Sequence, residues 1–507
     1  MKRKKELIVI LSSLLVIVLS VSVAYFTTKI LGTGKEISVE SADLKVIFTS
    51  GSGTINGTNI EPGWTSGENT FTVKNESNGT YKYNIIIKDL VNTFVTEGFL
   101  QYKITSTDGG YTMADFVDVP KSSTATDTTI AENISIEKGK THTYKIIINY
   151  NNSDDVDQSA DMDKMLSGKI FIEESTFKGG TLSEAMMYYN PVVSTRTDFS
   201  TPFITNTANT LYKATENGTD VYYFAGQDTE STPINNWVKF GKNSSNQDLY
   251  WRIIRTNSDG SIRLLYHGTS TTATDAYIGT STFNTSFNSP KYVGYMYGNS
   301  DTTPEEARTN TKDSAIKANI DNWYANNMTS YTKYISTTAV YCNDRELASG
   351  ASYSATGSEF YYAASTRLKT NKTPTYDCTN DNDKFTVDAS AGNGKLTYPI
   401  ALMTADEIAY AGQVVGKNAP MWYYTNSSLE SSTGTTDWWS LSPRYWYGNN
   451  AYSWHVTGSR YPGRLLNSDV SVPRGVRPAV SLKSCVQWKS GNGSATSPYE
   501  IAENGGC

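Results

Sequence analysis

Short runs of alternating or β-branched residues fill the first part of the chain, and clusters of Gly, Asn, Asp and Ser separate them. Such runs are typical of strands, and the clusters between them predict turns. The predicted strands are residues 37–39, 43–48, 70–73, 81–87, 100–104, 134–136, 142–148 and 169–172. A series of short strands over about 140 residues predicts an antiparallel β-sandwich, which we place at residues 28–177.

The pattern changes in the second part of the chain, where aromatic residues become dense. Residues 178–210 contain two adjacent glycines and a short helical stretch at 183–189, and we interpret them as a linker. The predicted strands beyond it are 221–224, 236–240, 249–255 and 261–266, with a hairpin turn at 258–260. The predicted helices are 313–331 and 404–411, and the second begins with a capping box of Thr404 and Glu407. The sequence therefore predicts a mainly β protein with some α, in which an α+β domain at 211–507 follows the sandwich.

The first residues predict export. Lys2, Arg3, Lys4 and Lys5 precede an apolar run at 7–24 that ends in the small residues Ser22 and Ala24. A basic start, a short apolar run and a small-residue end are typical of a signal peptide, and cleavage after Ala24 is the favoured interpretation. An uncleaved anchor is the alternative, because a run of about 18 apolar residues can span a bilayer. In both cases we expect the rest of the chain outside the membrane and contact with the membrane only through residues 1–24.

Four cysteines agree with an exported chain, since disulfides persist in oxidising compartments. Cys342, Cys378, Cys485 and Cys507 allow three pairings. We favour Cys342 with Cys378 and Cys485 with Cys507, because each pair closes a local loop. Their spacing does not resemble a zinc site, and no histidine lies near any of them in the sequence.

The composition argues against several classes of function. The formal net charge is -6, whereas a nucleic-acid-binding protein needs a basic surface that displaces counterions. The chain has 3 His, too few for a multi-histidine metal enzyme. Asp406 and Glu407 are adjacent helical positions that point apart, so they do not form a glycosidase pair. We therefore expect no catalytic residues, no metal, no cofactor and no nucleic-acid partner.

The most informative stretch is 438–482, which contains five arginines, one aspartate, no lysine and no glutamate. Tyr, Trp, Arg, Asn, Ser and Gly dominate it, and this is the composition of a paratope, where rigid aromatic rings supply area and short polar side chains supply adaptable hydrogen bonds. The predicted ligand-binding residues are Arg444, Tyr445, Tyr447, Asn449, Asn450, Tyr452, Ser453, His455, Arg460, Tyr461, Arg464 and Asn467. Trp438 and Trp439 are predicted to be core, and Arg477 to bind a buried carboxylate or carbonyl.

The first part of the chain resembles the camelysin/TasA group of exported Gram-positive proteins. The residues that carry this resemblance are 24–26 (AYF), 41–44 (SADL), 60–64 (IEPGW) and 70–75 (TFTVKN). The resemblance implies a β-sandwich displayed on a bacterial surface, with self-assembly through strand exchange between neighbouring copies. It implies no active site, because the HExxH motif of a zinc protease is absent from the sequence.

The second part resembles the C-type-lectin fold in its formylglycine-generating-enzyme variety. The resemblance rests on Trp438-Trp439, Ser442-Pro443 and 475–478 (GVRP), with further matches at 222–224, 251–254, 341–345 and 402–407. It implies that the residues forming the scaffold are Trp438, Trp439, Gly475, Arg477 and Pro478. The thiols that the enzymes use have no equivalent here, since Cys485 and Cys507 lie outside the matching core. Because this fold hosts enzymes and binders alike, it does not fix the function.

The same fold is the usual scaffold of proteins that diversity-generating retroelements diversify at adenines. Randomised AAY codons yield Asn, Tyr, Ser, Asp, His, Arg and Gly, but not Lys, Glu, Gln, Met or Trp, and residues 444–469 obey that exclusion apart from Trp446 and Trp454. We therefore predict a secreted or surface protein whose head binds an extracellular protein or glycan, with 444–469 as a candidate variable segment. The alternatives are a fibre or matrix subunit without a specific ligand, and an enzyme of the formylglycine-generating type.

Overall fold

The computed structural model describes residues 36–507 except 41–44, 51–53, 58–59, 77–79, 176, 205–208, 230–231, 274–275, 425–436, 459–460 and 504–506, and it describes side-chain burial from residue 60 onward. The predicted signal peptide or anchor at 1–24 lies outside these residues. The chain is mainly β. It divides into two compact units, one built around Lys82–Ser175 and the other around Thr176–Cys507. No helix among the described residues is long and apolar enough to cross a membrane.

Eleven described strands belong to the first unit. They are β1 (Glu36–Glu40), β2 (Lys45–Ser50), β3 (Thr54–Gly57), β4 (Trp64–Thr65), β5 (Asn69–Asn75), β6 (Tyr81–Asn92), β7 (Leu100–Ser106), β8 (Val117–Asp118), β9 (Ser122–Ile136), β10 (Thr141–Tyr150) and β11 (Leu166–Glu174), with a short 3-10 helix at Ser159–Asp161. Every predicted strand of this part falls on one of them, residues 43–44 lying outside the description. The sequence missed β3, β4, β8 and most of β9, whose residues 122–128 are all Ser, Thr, Ala or Asp.

These strands form two sheets. One has the order β1-β2-β5-β10-β7-β8, with β4 also on β10, and the other has the order β3-β11-β6-β9. Alternate residues of β10 are buried, as the sequence period requires. The two sheets meet at Tyr83 on β6, whose hydroxyl contacts the Tyr144 hydroxyl at 2.5 Å and His142 Nδ1 at 2.8 Å, both on β10. The core of this unit therefore lies between the two sheets.

The second unit combines strands with short helices. The strands are β12 (Val192–Thr195), β13 (Thr210–Glu216), β14 (Thr219–Tyr223), β15 (Trp237–Lys242), β16 (Asp248–Thr256), β17 (Ile262–Gly268), β18 (Thr280–Ser281), β19 (Met296–Tyr297), β20 (Lys312–Asp313), β21 (Tyr341–Cys342), β22 (Phe360–Tyr361), β23 (Lys384–Phe385), β24 (Ile400–Leu402), β25 (Trp438–Tyr447), β26 (Asn450–Val456), β27 (Leu465–Asp469), β28 (Arg474–Gly475), β29 (Pro478–Leu482), β30 (Trp488–Ser490) and β31 (Tyr499–Ile501). The α-helices are α1 (Leu182–Tyr189), α2 (Pro304–Ala307), α3 (Ala315–Asn327), α4 (Ala363–Thr366) and α5 (Ala405–Tyr410). A π-helical turn at Arg367–Asn371 follows α4, and 3-10 helices lie at Pro290–Val293, Thr329–Tyr334, Asp381–Asp383 and Trp422–Tyr424.

Two larger sheets organise this unit. The first has the order β12-β13-β14-β16-β15-β31-β30, with β17 bridging β16 and β29 and with β24 on β29. The second has the order β18-β28-β25-β26-β27, with β22 also on β25. The predicted hairpin is present, since β16 and β17 pair antiparallel. The second sheet carries most of the residues that the sequence assigned to ligand binding.

Much of the segment predicted as a linker, 178–210, belongs to the second unit. Its helix α1 buries Leu182, Ala185 and Met186 in the core. Its strand β12 pairs in parallel with β13. A capping box of Thr181 and Glu184 begins the helix, so local signals supported a helix, and only its burial shows that the segment is structural.

The helix predicted at 313–331 is shorter than expected. It runs from Ala315 to Asn327, because Ser314 caps its first turn and a 3-10 helix replaces it after Met328. The helix predicted at 404–411 is present as α5, and its capping box has both hydrogen bonds. The structure joins Cys342 to Cys378 and Cys485 to Cys507, the pairs that the sequence favoured.

Candidate ligand-binding face

A tight hairpin builds the centre of the candidate site. Strands β25 and β26 are joined by Gly448 and Asn449, whose φ angles are 57° and 61°. Two successive positive φ angles are what a two-residue hairpin turn of type I′ requires, and Asn and Gly adopt them readily. The turn fixes the register, so that Tyr447 lies opposite Asn450 and Tyr445 opposite Tyr452.

The neighbouring strands extend this pairing into a row of aromatic side chains. Tyr361 on β22 lies opposite Tyr445, and Asp469 on β27 lies opposite Tyr452. The ring of Tyr445 stacks on that of Tyr452 at 4.7 Å and lies 5.5 Å from that of Tyr361 and 5.9 Å from that of Tyr447. Tyr447 is 48% exposed and Tyr361 42% exposed. We call Tyr361, Tyr445, Tyr447 and Tyr452 the tyrosine row.

Polar side chains hold the tyrosine row in place. Asn467 Nδ2 donates to the Tyr445 hydroxyl at 2.9 Å. Asn450 Nδ2 donates to Asp469 Oδ2 at 2.8 Å. Asp469 Oδ1 accepts from the backbone N–H and the hydroxyl of Ser471, at 2.9 and 2.7 Å. Both oxygens of the single acidic side chain of 444–469 thus accept hydrogen bonds within the face. Rings fixed by such contacts lose little rotamer entropy on binding, which favours affinity.

Arg444 lies beside the tyrosine row without a partner of its own. Its guanidinium carbon is 4.9 Å from the ring centre of Tyr445 and 4.5 Å from that of Trp454. Nε and Nη1 are buried and have no hydrogen-bond acceptor among the described residues. Burial lowers the pKa of Arg444, and only the Tyr445 and Tyr361 hydroxyls oppose this shift.

Two predicted binding residues are turned inward instead. Ser453 and His455 are buried, because in a strand of period two they lie opposite to the side that carries Tyr452. His455 Nε2 is 3.4 Å from Asp437 Oδ2, an oxygen that Arg474 also contacts. Burial lowers the pKa of His455, although Asp437 opposes this. Both assignments to the ligand face are therefore corrected to structural positions.

The predicted ligand-binding residues also fall into two separate groups. Tyr461 and Arg464 lie in the segment between β26 and β27, at the strand ends opposite to the turn that holds Asn449. Arg464 stacks on Tyr461 at 4.6 Å and donates through Nε to Asn418 Oδ1 at 2.8 Å. Arg460 lies outside the described residues. Tyr461 and Arg464 therefore form a second group, separate from the tyrosine row.

The predicted scaffold residues are buried as expected of a scaffold. Trp438 and Trp439 are fully buried. Arg477 donates to the carbonyl oxygen of Tyr423 at 2.8 Å and to that of Tyr266 at 3.2 and 3.1 Å. Of the two partners considered for Arg477, a carboxylate and a carbonyl, the structure shows the carbonyl. The remaining two residues that the sequence assigned to the scaffold are also buried, Gly475 and Pro478.

The second unit also contains a buried charge cluster that the sequence did not predict, formed by Glu216, Arg255, Arg263 and Glu407. Glu407 accepts from Arg255 Nε at 2.9 Å and from Arg263 Nη1 at 2.8 Å, and Arg255 also bonds Glu216 at 2.9 Å. Although burial raises the pKa of Glu407, Arg263 and Arg255 hold it below its usual value. The apolar neighbours of Arg255 and Arg263 in β16 and β17 could have shown that these arginines lie on buried strands, but not which residues pair with them.

The adjacent residue of α5 points to a different partner, as the sequence predicted. Both oxygens of Asp406 accept from Arg367, at 2.8 and 2.7 Å. Asp344 makes a single bond to Arg367 Nη2 at 2.6 Å. Burial raises the pKa of Asp344 to about 6, against the attraction of Arg367 and reinforced by repulsion from Asp406. Asp406 therefore takes the bidentate contact with Arg367, and Asp344 takes a single bond.

This geometry predicts a pH effect on stability. A carboxyl whose folded pKa lies above its unfolded value of about 3.9 favours the folded state below that value, and this contribution is lost as the pH rises through 6. We expect the wild-type free energy of unfolding to fall by about 2–3 kcal/mol relative to Asp344→Asn between pH 4 and 6.5. Urea unfolding of both proteins across this range measures the difference. Asp381→Asn, at a carboxyl 91% exposed, is the control, and parallel profiles for wild type and Asp344→Asn would contradict the prediction.

Comparisons with known proteins found no match. No protein-family model matches the chain, and no match is found among curated proteins or among solved structures. Among the described residues, no group of three or more His, Cys, Asp or Glu side chains could hold a metal ion.

Proposed function

We propose that this is an exported surface protein whose second unit binds an extracellular protein or glycan through the tyrosine row. In this proposal the first unit is a β-sandwich of the camelysin/TasA type and acts as a stalk or assembly module. The second unit is a C-type-lectin-like head, for which the buried Trp438, Trp439 and Arg477 provide the frame. The two disulfides support an oxidising compartment.

One observation carries the proposal. Three consecutive strands, β25, β26 and β27, and the distant strand β22 place four tyrosines and their polar supports side by side. Tyr361 and Tyr447 are nearly half exposed next to two further tyrosines of the row, and Tyr is among the residues that dominate binding hot spots. A fibre subunit or spacer needs no such row.

The structure of the candidate variable segment also supports diversification. Trp446 and Trp454, the two residues that AAY codons cannot yield, are buried. Tyr445, Tyr447 and Tyr452 are reachable by such codons and lie at least partly exposed. Template-fixed scaffold positions and variable exposed positions would divide in this way. A search of the flanking genome for a reverse transcriptase and a near-copy of the codons for 438–478 tests the idea directly.

The binding function is tested by removing the stacked pair. We expect Tyr445→Ala combined with Tyr452→Ala to weaken binding at least about 30-fold, because hot-spot residues each contribute about 2 kcal/mol or more. The probes are an immobilised glycan array and a phage-displayed library of random peptides, both screened with the exported chain. Binding of each enriched probe is then measured for wild type and variant.

Two controls accompany this test. Tyr461→Ala removes a tyrosine of the same segment that lies at the opposite strand ends, and it should bind like wild type. Tyr447→Ala removes an exposed ring of the row and should weaken binding without a change in thermal unfolding. Equal binding by wild type and the double variant, or no probe bound by wild type, would refute the proposal.

A further inference from the structure

A chain of hydrogen bonds crosses the core of the first unit and joins its two sheets. Tyr83 comes from β6 of one sheet, whereas His142 and Tyr144 come from β10 of the other. The Tyr83 hydroxyl lies 2.8 Å from His142 Nδ1 and 2.5 Å from the Tyr144 hydroxyl oxygen. That oxygen also accepts from the backbone N–H of Tyr111 at 3.0 Å. The three residues that supply side chains are at most 5% exposed, so these polar atoms must satisfy one another.

Only one protonation state of His142 Nδ1 fits this chain of hydrogen bonds. Nδ1 and the two hydroxyl oxygens are three atoms in line, with two gaps between them, and each gap holds one proton. When Nδ1 is unprotonated, Tyr83 donates to it and Tyr144 donates to Tyr83, so both hydroxyl protons are used. When Nδ1 carries a proton, three protons compete for two gaps. One buried donor is then left without an acceptor among the described residues, which destabilises the folded state.

Uncharged side chains face His142 inside the core. They are Tyr83 from β6, Tyr144 from the same strand and Val73, the register partner of His142 on β5. Burial among such side chains lowers the pKa of His142. The hydrogen-bond chain and the burial therefore both favour a neutral ring that carries its proton on Nε2.

Asp108 acts on His142 in the opposite direction from the surface. It lies in the loop after β7, next to Gly109, and a Cβ on Gly109 would lie 3.6 Å from His142 Nε2. The Asp108 carboxylate accepts from the backbone N–H of Thr143 at 2.9 and 2.8 Å and from the Ser106 hydroxyl at 2.7 Å. Its negative charge raises the pKa of His142 but does not cancel the effect of burial. The histidine thus lies between a core that disfavours its charge and a carboxylate that favours it.

We propose that His142 is a pH-sensitive switch in the first unit, which holds the two sheets together as a neutral ring and releases them when acid protonates Nδ1. The added proton is the third in a chain with two gaps, so the link between β6 and β10 breaks. An unfolded histidine has a pKa of about 6.5 and takes up this proton more readily than the folded unit. The stabilisation is therefore present in full above about pH 6.5 and is lost as the pH falls from there through the folded pKa. This inference concerns the first unit and does not depend on the proposed binding face.

NMR of the exported chain, labelled with 15N at histidine, tests the protonation state. The chain has 3 His, and the ring signals that disappear in His142→Gln are those of His142. We expect an unprotonated Nδ1 and a protonated Nε2 at pH 7.5. We also expect a titration midpoint below that of the same histidine in the urea-unfolded chain. A proton on Nδ1 at pH 7.5, or a midpoint equal to or above that of the unfolded chain, would overturn the inference.

Hydrogen exchange measured by mass spectrometry tests whether this proton loosens the sheets. Wild type is compared with His142→Gln, whose side-chain oxygen can still accept from Tyr83 but does not titrate. Comparison at the same pH cancels the intrinsic pH dependence of exchange. From pH 7.5 to pH 5, the ratio of wild-type to variant exchange rates should rise in peptides from β6 and β10 and stay constant in peptides from β16 and β17. A constant ratio in β6 and β10 would show that His142 is not a switch.

Asp108→Asn separates the switch from a merely structural hydrogen-bond chain. This variant leaves Tyr83, His142 and Tyr144 in place and removes the charge that favours protonation. The titration midpoint of His142 should therefore move to lower pH, and the loss of protection in β6 and β10 should move with it. If His142→Gln does not fold, the ring signals that shift in Asp108→Asn assign His142 instead. An unchanged or raised midpoint in Asp108→Asn would contradict the inference.

Discussion

Replacing Glu407 by alanine is expected to destabilise the second unit by about 3–5 kcal/mol, the usual cost of removing one partner from a buried ion pair. Glu407 is fully buried, and its carboxylate neutralises Arg255 and Arg263 together. It also accepts from the backbone N–H of Thr404 at 2.9 Å, which completes the capping box of α5. Without it, Arg255 keeps only Glu216 as an ion-pair partner, Arg263 keeps none among the described residues, and the helix start loses a hydrogen bond.

Urea unfolding of Glu407→Ala against wild type measures this loss, with tryptophan fluorescence as the signal. Glu407→Gln keeps the shape and the capping contact but removes the charge, so it should retain only part of the stability. Asp381→Ala removes an exposed carboxylate that pairs only with Lys384 among the described residues, and it should change stability by less than about 1 kcal/mol. A Glu407→Ala midpoint equal to that of wild type would show that the cluster contributes nothing to the fold.

Glu407 also shows why the sequence predicts some features of this molecule and not others. Thr404 and Glu407 are three residues apart, so the capping box is a local pattern, and the helix was predicted from it. The arginines that Glu407 neutralises are 152 and 144 residues away in the chain. Their pairing depends on how β16, β17 and α5 pack. No spacing rule within one segment encodes such a contact.

In the candidate site, too, the sequence predicted some features and missed others. The absence of Lys and Glu and the abundance of Tyr pointed to 444–469 before any fold was known. Composition alone, however, assigned Ser453 and His455 to the ligand face. Both residues lie on the strand β26, where the period of two places their side chains inside. Tyr361 was missed because it lies 84 residues before Tyr445 and joins the row only through the pairing of β22 with β25.

Removing the disulfide between Cys342 and Cys378 by a double change to serine is expected to cost about 4 kcal/mol, the entropy of opening a loop of this length. The bond spans 36 residues, whereas that between Cys485 and Cys507 spans 22. Loop length alone predicts a difference of only a few tenths of a kcal/mol between the two double variants. The structure predicts a larger one, because the first disulfide lies two residues from Asp344 and beside the buried cluster.

The second disulfide ties the chain at Cys507, an exposed residue, so its loss permits local fraying near that residue without opening the core. The transition temperature of each double variant is measured by thermal unfolding against wild type. It should fall by about 6 °C for Cys342→Ser with Cys378→Ser and by clearly less for the other pair. Reductant added to wild type should reproduce the sum of the two shifts. Equal shifts for the two variants would mean that each disulfide acts only on the unfolded chain. The buried cluster would then owe its arrangement to strand packing alone, with no contribution from the bond beside it.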